Sequence, residues 1–189
     1  MAGLVIRPAL PSDVPALSEL SKRAWADAFG QPLTLEDLAA ELEESRSEAY
    51  FTDALNETTI LLAEQDGALR GYVQLGDVKI PEVEVLPGDQ GLRRLYVDTE
   101  MQGRGFGRRL MDAALDHPRL ASANRIFLTV WDQNEGAMRL YGSFGFKMIG
   151  TTSVRIADKE VGEDLVMVLD KTPVRDQGPG VGPSRERAE

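Results

Sequence analysis

The segment Leu95-Tyr96-Val97-Asp98-Thr99-Glu100-Met101-Gln102-Gly103-Arg104-Gly105-Phe106-Gly107-Arg108-Arg109-Leu110 constrains this chain more than any other. An apolar, strand-like run feeds a loop with glycine at alternate positions, and the loop opens a run with helical apolar spacing. Glycine lets the backbone take positive φ and come close to a ligand. The first N–H groups of a helix have no acceptor within it, and the helix dipole adds partial positive charge there. A strand, glycine loop and helix in this order therefore build an anion site, with phosphate or pyrophosphate as its natural occupant. Arg104, Arg108 and Arg109 add positive charge to it. The competing reading is a tight turn whose glycines serve packing alone. The loop lacks the Gly-Lys-Ser/Thr of a Walker A sequence. It also lacks the Rossmann pattern, because His117-Pro118-Arg119-Leu120 stands where an acid at a strand end belongs.

Around this segment the apolar period alternates between helix and strand. Gly3 to Pro8 reads as a short strand. Ser12 or Asp13 caps a helix with Pro15 in its first turn, and Val14, Leu17, Leu20, Ala24, Trp25 and Ala28 form its stripe. Thr34 and Asp37 resemble a capping box for a second helix carrying Leu35, Leu38 and Leu42. A third short helix is expected from Glu48 to Leu55. Thr58–Glu64 and Leu69–Leu75 read as strands joined at Asp66-Gly67, a hairpin turn pair. Val78 to Gly91 reads as a loop or a frayed strand extension. Further strands are expected at Leu92–Val97, Arg125–Val130, Phe146–Val154 and Leu165–Leu169, with helices at Gly107–Leu115 and Glu135–Phe144. The expected order β-α-α-β-β-β-α-β-α-β-β, with the third short helix inserted, is a mixed α/β domain. It occupies residues 1–170, and 171–189 read as a flexible tail rich in Pro, Gly and charge.

Composition narrows the chemistry. The 189 residues carry a net charge of −10, which argues against a general nucleic-acid binder. There is no cysteine, so disulfides, thiolate metal sites and a cysteine nucleophile are excluded. A single histidine, His117, leaves no material for a histidine-rich metal site, and no metal is expected. The sequence offers neither a long apolar span nor a signal-peptide pattern, so the expectation is a cytoplasmic protein without a membrane partner.

A second motif follows the glycine loop: Leu128-Thr129-Val130-Trp131-Asp132-Gln133-Asn134-Glu135-Gly136-Ala137-Met138-Arg139-Leu140-Tyr141-Gly142-Ser143-Phe144-Gly145-Phe146. Together with Gln102-x-x-Gly105-x-Gly107, it resembles the two cofactor motifs of the GNAT N-acetyltransferase superfamily, over roughly residues 3–170. Within the superfamily the chain is most similar to the bacterial spermine/spermidine branch. That likeness rests on Val130-Trp131-Asp132-x-Asn134-Glu135, on Trp25-x-x-Ala28-Phe29 and on Glu163 to Met167. It departs from the branch at Gly91 and Arg93, where glutamates are usual, and at Thr152, Ser153 and Val154, where a histidine and an aromatic are usual.

The resemblance implies the GNAT fold. This is an α/β architecture with a central, mixed, mostly antiparallel twisted sheet, a splay between its two parallel middle strands, and helices on both faces. It also implies acetyl-CoA as co-substrate and direct transfer of acetyl to the primary amine of a small molecule, a polyamine-like one as candidate. Leu95, Tyr96 and Val97 would offer backbone groups to the pantetheine. The N–H groups of Gln102, Gly103, Arg104, Gly105, Phe106, Gly107 and Arg108 would hold the pyrophosphate. Asn134, Gly136 and Ala137 would line the pantetheine arm, and Tyr141 would be the general acid. Trp25 and Phe29 are candidates for the amine pocket, and Glu82, Glu84 and Asp132 for the base. The arginines from Arg93 to Arg109 would suit the anionic cofactor, and the acidic remainder would steer a cationic amine. A homodimer is compatible with the resemblance. Two other readings share the cofactor loop: a protein or peptide N-terminal acetyltransferase, and a non-catalytic acyl-CoA sensor.

Overall fold

The computed structural model describes residues 3–29, 34–156 and 159–171. The tail expected beyond Lys171 lies outside them. The elements are β1 (Val5–Pro8), α1 (Val14–Phe29), α2 (Leu35–Arg46), α3 (Glu48–Glu57), β2 (Thr59–Gln65), β3 (Ala68–Gly76) and β4 (Gln90–Val97). They continue with α4 (Phe106–Asp116), α5 (Pro118–Ala121), β5 (Arg125–Trp131), α6 (Glu135–Ser143), β6 (Lys147–Ile156) and β7 (Lys159–Asp170). The strands form one sheet in the order β1-β2-β3-β4-β5-β7-β6. Every pairing is antiparallel except β4 with β5.

The run Ile60-Leu61-Leu62-Ala63 shows why the sheet is covered on both faces. Side chains alternate along a strand. Ile60 and Leu62 join Tyr72 and, from α1 and α3, Val14, Leu17, Leu20, Phe51 and Ala54. Leu61 and Ala63 join Val73, Leu75 and, from α4, Phe106, Leu110, Met111 and Ala114. A strand buried on both faces has to be apolar at consecutive positions. The turn between β2 and β3 places Asp66 at φ 54° and Gly67 at φ 75°, as expected for the Asp-Gly pair of a type I′ hairpin.

Two irregularities shape the centre of the sheet. First, β4 and β5 pair only at Gln90↔Ile126 and Gly91↔Phe127. Beyond these rungs the strands diverge and leave a cleft. Second, Gln74 pairs with Arg94 while Leu75 pairs with Leu92, so Arg93 is an extra residue bulged out of β4. The bulge breaks the alternation of a regular strand, which would put Arg93 and Arg94 on opposite faces. The Arg94 guanidinium lies over the Tyr50 ring of α3, and Arg93 packs beside Gly76 and Thr58 at the end of α3. Both arginines therefore share one face of the sheet. The 78–89 connection is a series of turns rather than a strand extension.

Candidate active site

The cleft between β4 and β5 runs onto the start of α4. One stretch of it is lined by Leu95, Val97, Gln102, Gly103, Gly105, Gly107 and Arg108, facing Asn134, Gly136, Ala137, Arg139, Leu140 and Tyr141 from the β5–α6 side. Gly103 and Gly105 sit at φ 73° and 85°, a backbone region that residues with a Cβ enter only at a cost. Gly105 is the N-cap of α4. The first bond of that helix runs from Arg109 N–H to the Gly105 carbonyl at 3.1 Å, so the helix itself leaves the N–H groups of Phe106, Gly107 and Arg108 without acceptors. The Phe106 side chain belongs to the core, and its backbone N–H is what it can offer a ligand.

The arginines expected around this loop are divided among several places. Arg108 lines the cleft, donates from Nη2 to Ser143 Oγ at 3.0 Å and covers the Phe144 ring. Arg104 is exposed. Arg109 is turned away and donates to the Leu4 carbonyl at 3.1 Å. Arg93 and Arg94 line three adjoining cavities, one of which also holds Leu95, Val97, Gln102 and Tyr141, and are absent from the stretch that holds Gly103, Gly105 and Gly107.

Asn134 caps α6, accepting from Ala137 N–H at 3.0 Å, and it lines the cleft as well. Tyr141 is 5% exposed and sits where the cleft beside the glycine loop meets the central cavity, which it shares with Leu95, Tyr96, Val97, Gln102 and Asn134. Burial pushes its phenol well above the ordinary tyrosine value, and nearby Tyr96 adds to the rise. Its hydroxyl therefore stays protonated throughout the neutral range. Tyr96 stacks on Tyr72 with ring centroids 5.7 Å apart. Tyr72 is pushed up to about 12 by burial and is hydrogen-bonded to Ser21.

Three adjoining cavities share Arg93, Arg94, Thr129 and Asp164 in their walls. One of them is closed by Trp25, Glu41, Arg46, Tyr96, Trp131 and Arg155. Trp25 is buried under the Arg46 guanidinium, 4.5 Å from its ring centroid, and Arg46 pairs with Glu41 at 2.6 Å. Phe29 ends α1, and its side chain lies outside what the structure describes. Of the three acids singled out as bases, Glu82 lines the outermost cavity, while Glu84 and Asp132 are exposed and line none of these walls. Asp164 was not among them. Burial raises its carboxyl, Asp132 adds to the rise, and a hydrogen bond from Thr129 opposes it. Its one sequence signal was an acid next to the apolar run Leu165-Val166-Met167, across the sheet from Trp131. His117 caps α5, accepting from Arg119 N–H at 3.2 Å, and lines none of these cavities.

A splayed parallel pair and a glycine-capped helix aimed at the splay fit an acyl-CoA-dependent acyltransferase. The comparisons agree. The sequence model of the Acetyltransferase (GNAT) family matches residues 18–146. An uncharacterized N-acetyltransferase from Lactobacillus delbrueckii is 30% identical over 147 residues, covering 77% of this chain and 85% of that one. The spermine/spermidine N(1)-acetyltransferase of Bacillus subtilis is 31% identical over 86 residues, 45% of this chain and 57% of that enzyme. Among solved structures, an N-acetyltransferase from Thermoplasma acidophilum in complex with coenzyme A superposes with a TM-score of 0.70 at 20% identity, covering 89% of this chain and 99% of that one. The chain belongs to the GNAT family of acetyl-CoA-dependent N-acetyltransferases. Among the described residues, no helix is long and apolar enough to cross a membrane.

Proposed function

We propose that this enzyme transfers acetyl from acetyl-CoA directly to the primary amine of a small molecule, with Tyr141 as general acid. The observation that carries this reading is the position of Tyr141 at the junction of two spaces, one beside the glycine loop and one that reaches Arg93, Arg94 and Asp164. The free N–H groups at the start of α4, reinforced by Arg108, suit the pyrophosphate. The unpaired edges of Leu95–Val97 suit the amide groups of the pantetheine. The chain has no cysteine to carry the acetyl group, in keeping with attack by the amine itself. In that attack the C–N bond forms and the C–S bond breaks. The departing thiolate, of pKa about 8.5, takes the proton of Tyr141. A polyamine is the less favoured acceptor, because Arg93 and Arg94 stand in the wall where a polycation would lie.

The test is Tyr141→Phe. Removing a general acid should lower kcat by about 10²- to 10⁴-fold, while the Kd for CoA stays within about twofold. The hydroxyl makes no hydrogen bond among the described residues, so the melting temperature should hold. An unchanged kcat would remove Tyr141 from the mechanism. No turnover of any amine by wild-type protein that binds CoA tightly would favour a non-catalytic sensor instead.

A further inference from the structure

The three cavities that share Arg93, Arg94 and Asp164 hold opposite charges with no ion pair between them among the described residues. Their positive side is Arg93 and Arg94. Arg94 is largely buried, donates to the Ser45 carbonyl at 2.8 Å and lies over the Tyr50 ring. Arg94 forms no ion pair among the described residues. Arg93 has no ion pair among the described residues. Arg46, further along the wall, is already matched by Glu41. The negative side is Asp164. Asp164 forms no ion pair among the described residues. All three residues nevertheless line the same three cavities. A guanidinium withdrawn from water without a counter-ion is costly, and a carboxylate is its best-matched ligand.

We propose that the acceptor is a small amino-carboxylate, with its carboxylate held by Arg93 and Arg94 and its amine presented at Asp164. This rests on the acetyltransferase reading and names the substrate class for the same site. The amine arrives as an ammonium and gives one proton to the Asp164 carboxylate, which passes it to solvent. The freed lone pair attacks the acetyl carbon. As C–N forms and C–S breaks, the second departing nitrogen proton replaces the one that Tyr141 gives to the thiolate. Asp164, in contact with the reacting nitrogen, is then a catalytic residue. A polyamine would place a second cation against two unmatched guanidiniums, whereas an amino-carboxylate neutralises both sides at once.

The experiment compares acetyl transfer, read as CoA thiol release, to a set of ω-amino acids and α-amino acids, to the primary amide of each, and to spermidine. A carboxylate on paired arginines should favour the best amino acid over its own amide by about 10- to 100-fold in kcat/KM. Arg93→Gln should cut that ratio at least fivefold, mainly through KM, and Asp164→Asn should act mainly on kcat. A ratio near one in the wild type, a ratio unmoved by Arg93→Gln, or spermidine as the best acceptor would overturn the proposal while leaving amine acetylation intact. If no amine is acetylated, calorimetric titration of the amino acids into the protein saturated with CoA still decides the matter. Binding that is weakened in Arg93→Gln supports the charge pairing, and no binding overturns it. Should Arg93→Gln fail to fold, Arg93→Lys serves, since it keeps the charge but loses the bidentate fork.

Discussion

Replacing Asp89 by asparagine probes what holds the seam from which the cleft opens. The Asp89 side chain is 1% exposed and accepts from Arg125 at 3.0 Å (Nε) and 2.5 Å (Nη2). It also accepts from Leu86 N–H at 2.7 Å. Arg125 in turn covers the Phe127 ring and reaches the Glu84 carbonyl at 3.0 Å. These bonds tie the 78–89 connection to β5 one residue before Gln90 pairs with Ile126. Asparagine keeps the shape and one acceptor but removes the charge. A hydrogen bond to a charged group contributes about 1.5–3 kcal/mol. Arg125 is 27% exposed, so water recovers part of what is lost. The net cost should be about 2–3 kcal/mol, or about 6–9 °C in melting temperature for a domain of this size. Arg125 holds the Asp89 carboxyl below the usual range. Its stabilisation is therefore complete above the unfolded value of about 4 and is lost as pH falls through the lower folded value. Urea unfolding of wild type and Asp89→Asn from pH 7 to pH 3 should show the full difference at neutrality and a shrinking one below about pH 4. Equal stability at pH 7, or a difference that persists undiminished at pH 3, would refute the reasoning.

The glycine loop and the end of the fold supply two more predictions. Gly105→Val puts a branched side chain at φ 85°. It should cost about 1–2 kcal/mol of stability and weaken CoA binding at least 30-fold by calorimetry, whereas normal affinity would make the loop purely structural. Ending the chain after Lys171 should leave the melting temperature and CoA affinity unchanged. The described fold closes there, with Lys171 N–H on the Asn124 carbonyl at 2.8 Å and its ammonium on that of Leu120 at 2.8 Å. A fall of more than about 3 °C, roughly 1 kcal/mol at this size, would show that residues 172–189 contribute to stability.

Elements whose burial follows a clear period were legible in the sequence. These include α1 with its Leu17 and Leu20 stripe, the Asp66-Gly67 hairpin, and the passage from Val97 through Gly105 into α4. β7 was seen only from Leu165, yet it begins at Lys159. Its first half pairs with β6 at polar or small positions such as Ser153↔Glu163 and Arg155↔Glu160. There, backbone pairing rather than apolar burial holds the strand, so no hydrophobic signal marks it. The four-residue α5 was too short to leave a period. The glycine-loop side of the candidate site was readable because backbone conformation there demands glycine at fixed positions. The wall proposed to face the acceptor was not, because it is assembled from distant segments. Arg46 ends α2, Tyr50 is in α3, Arg94 follows a bulge and Asp164 sits in β7. A bulge of one residue is invisible in the sequence, yet it decides on which face Arg93 and Arg94 lie.

The two-rung pairing of β4 with β5 also bears on how the protein survives between turnovers. Beyond Gly91 and Phe127, each strand keeps its outer partner, β3 or β7, and has an unpaired inner border. Unpaired strand borders are the places where sheets recruit foreign chains. Here they lie in the middle of the sheet, and a bound pantetheine would occupy them. A chain short of acetyl-CoA is thus a sheet with two open seams, and cofactor supply should govern its resistance to aggregation as well as its rate.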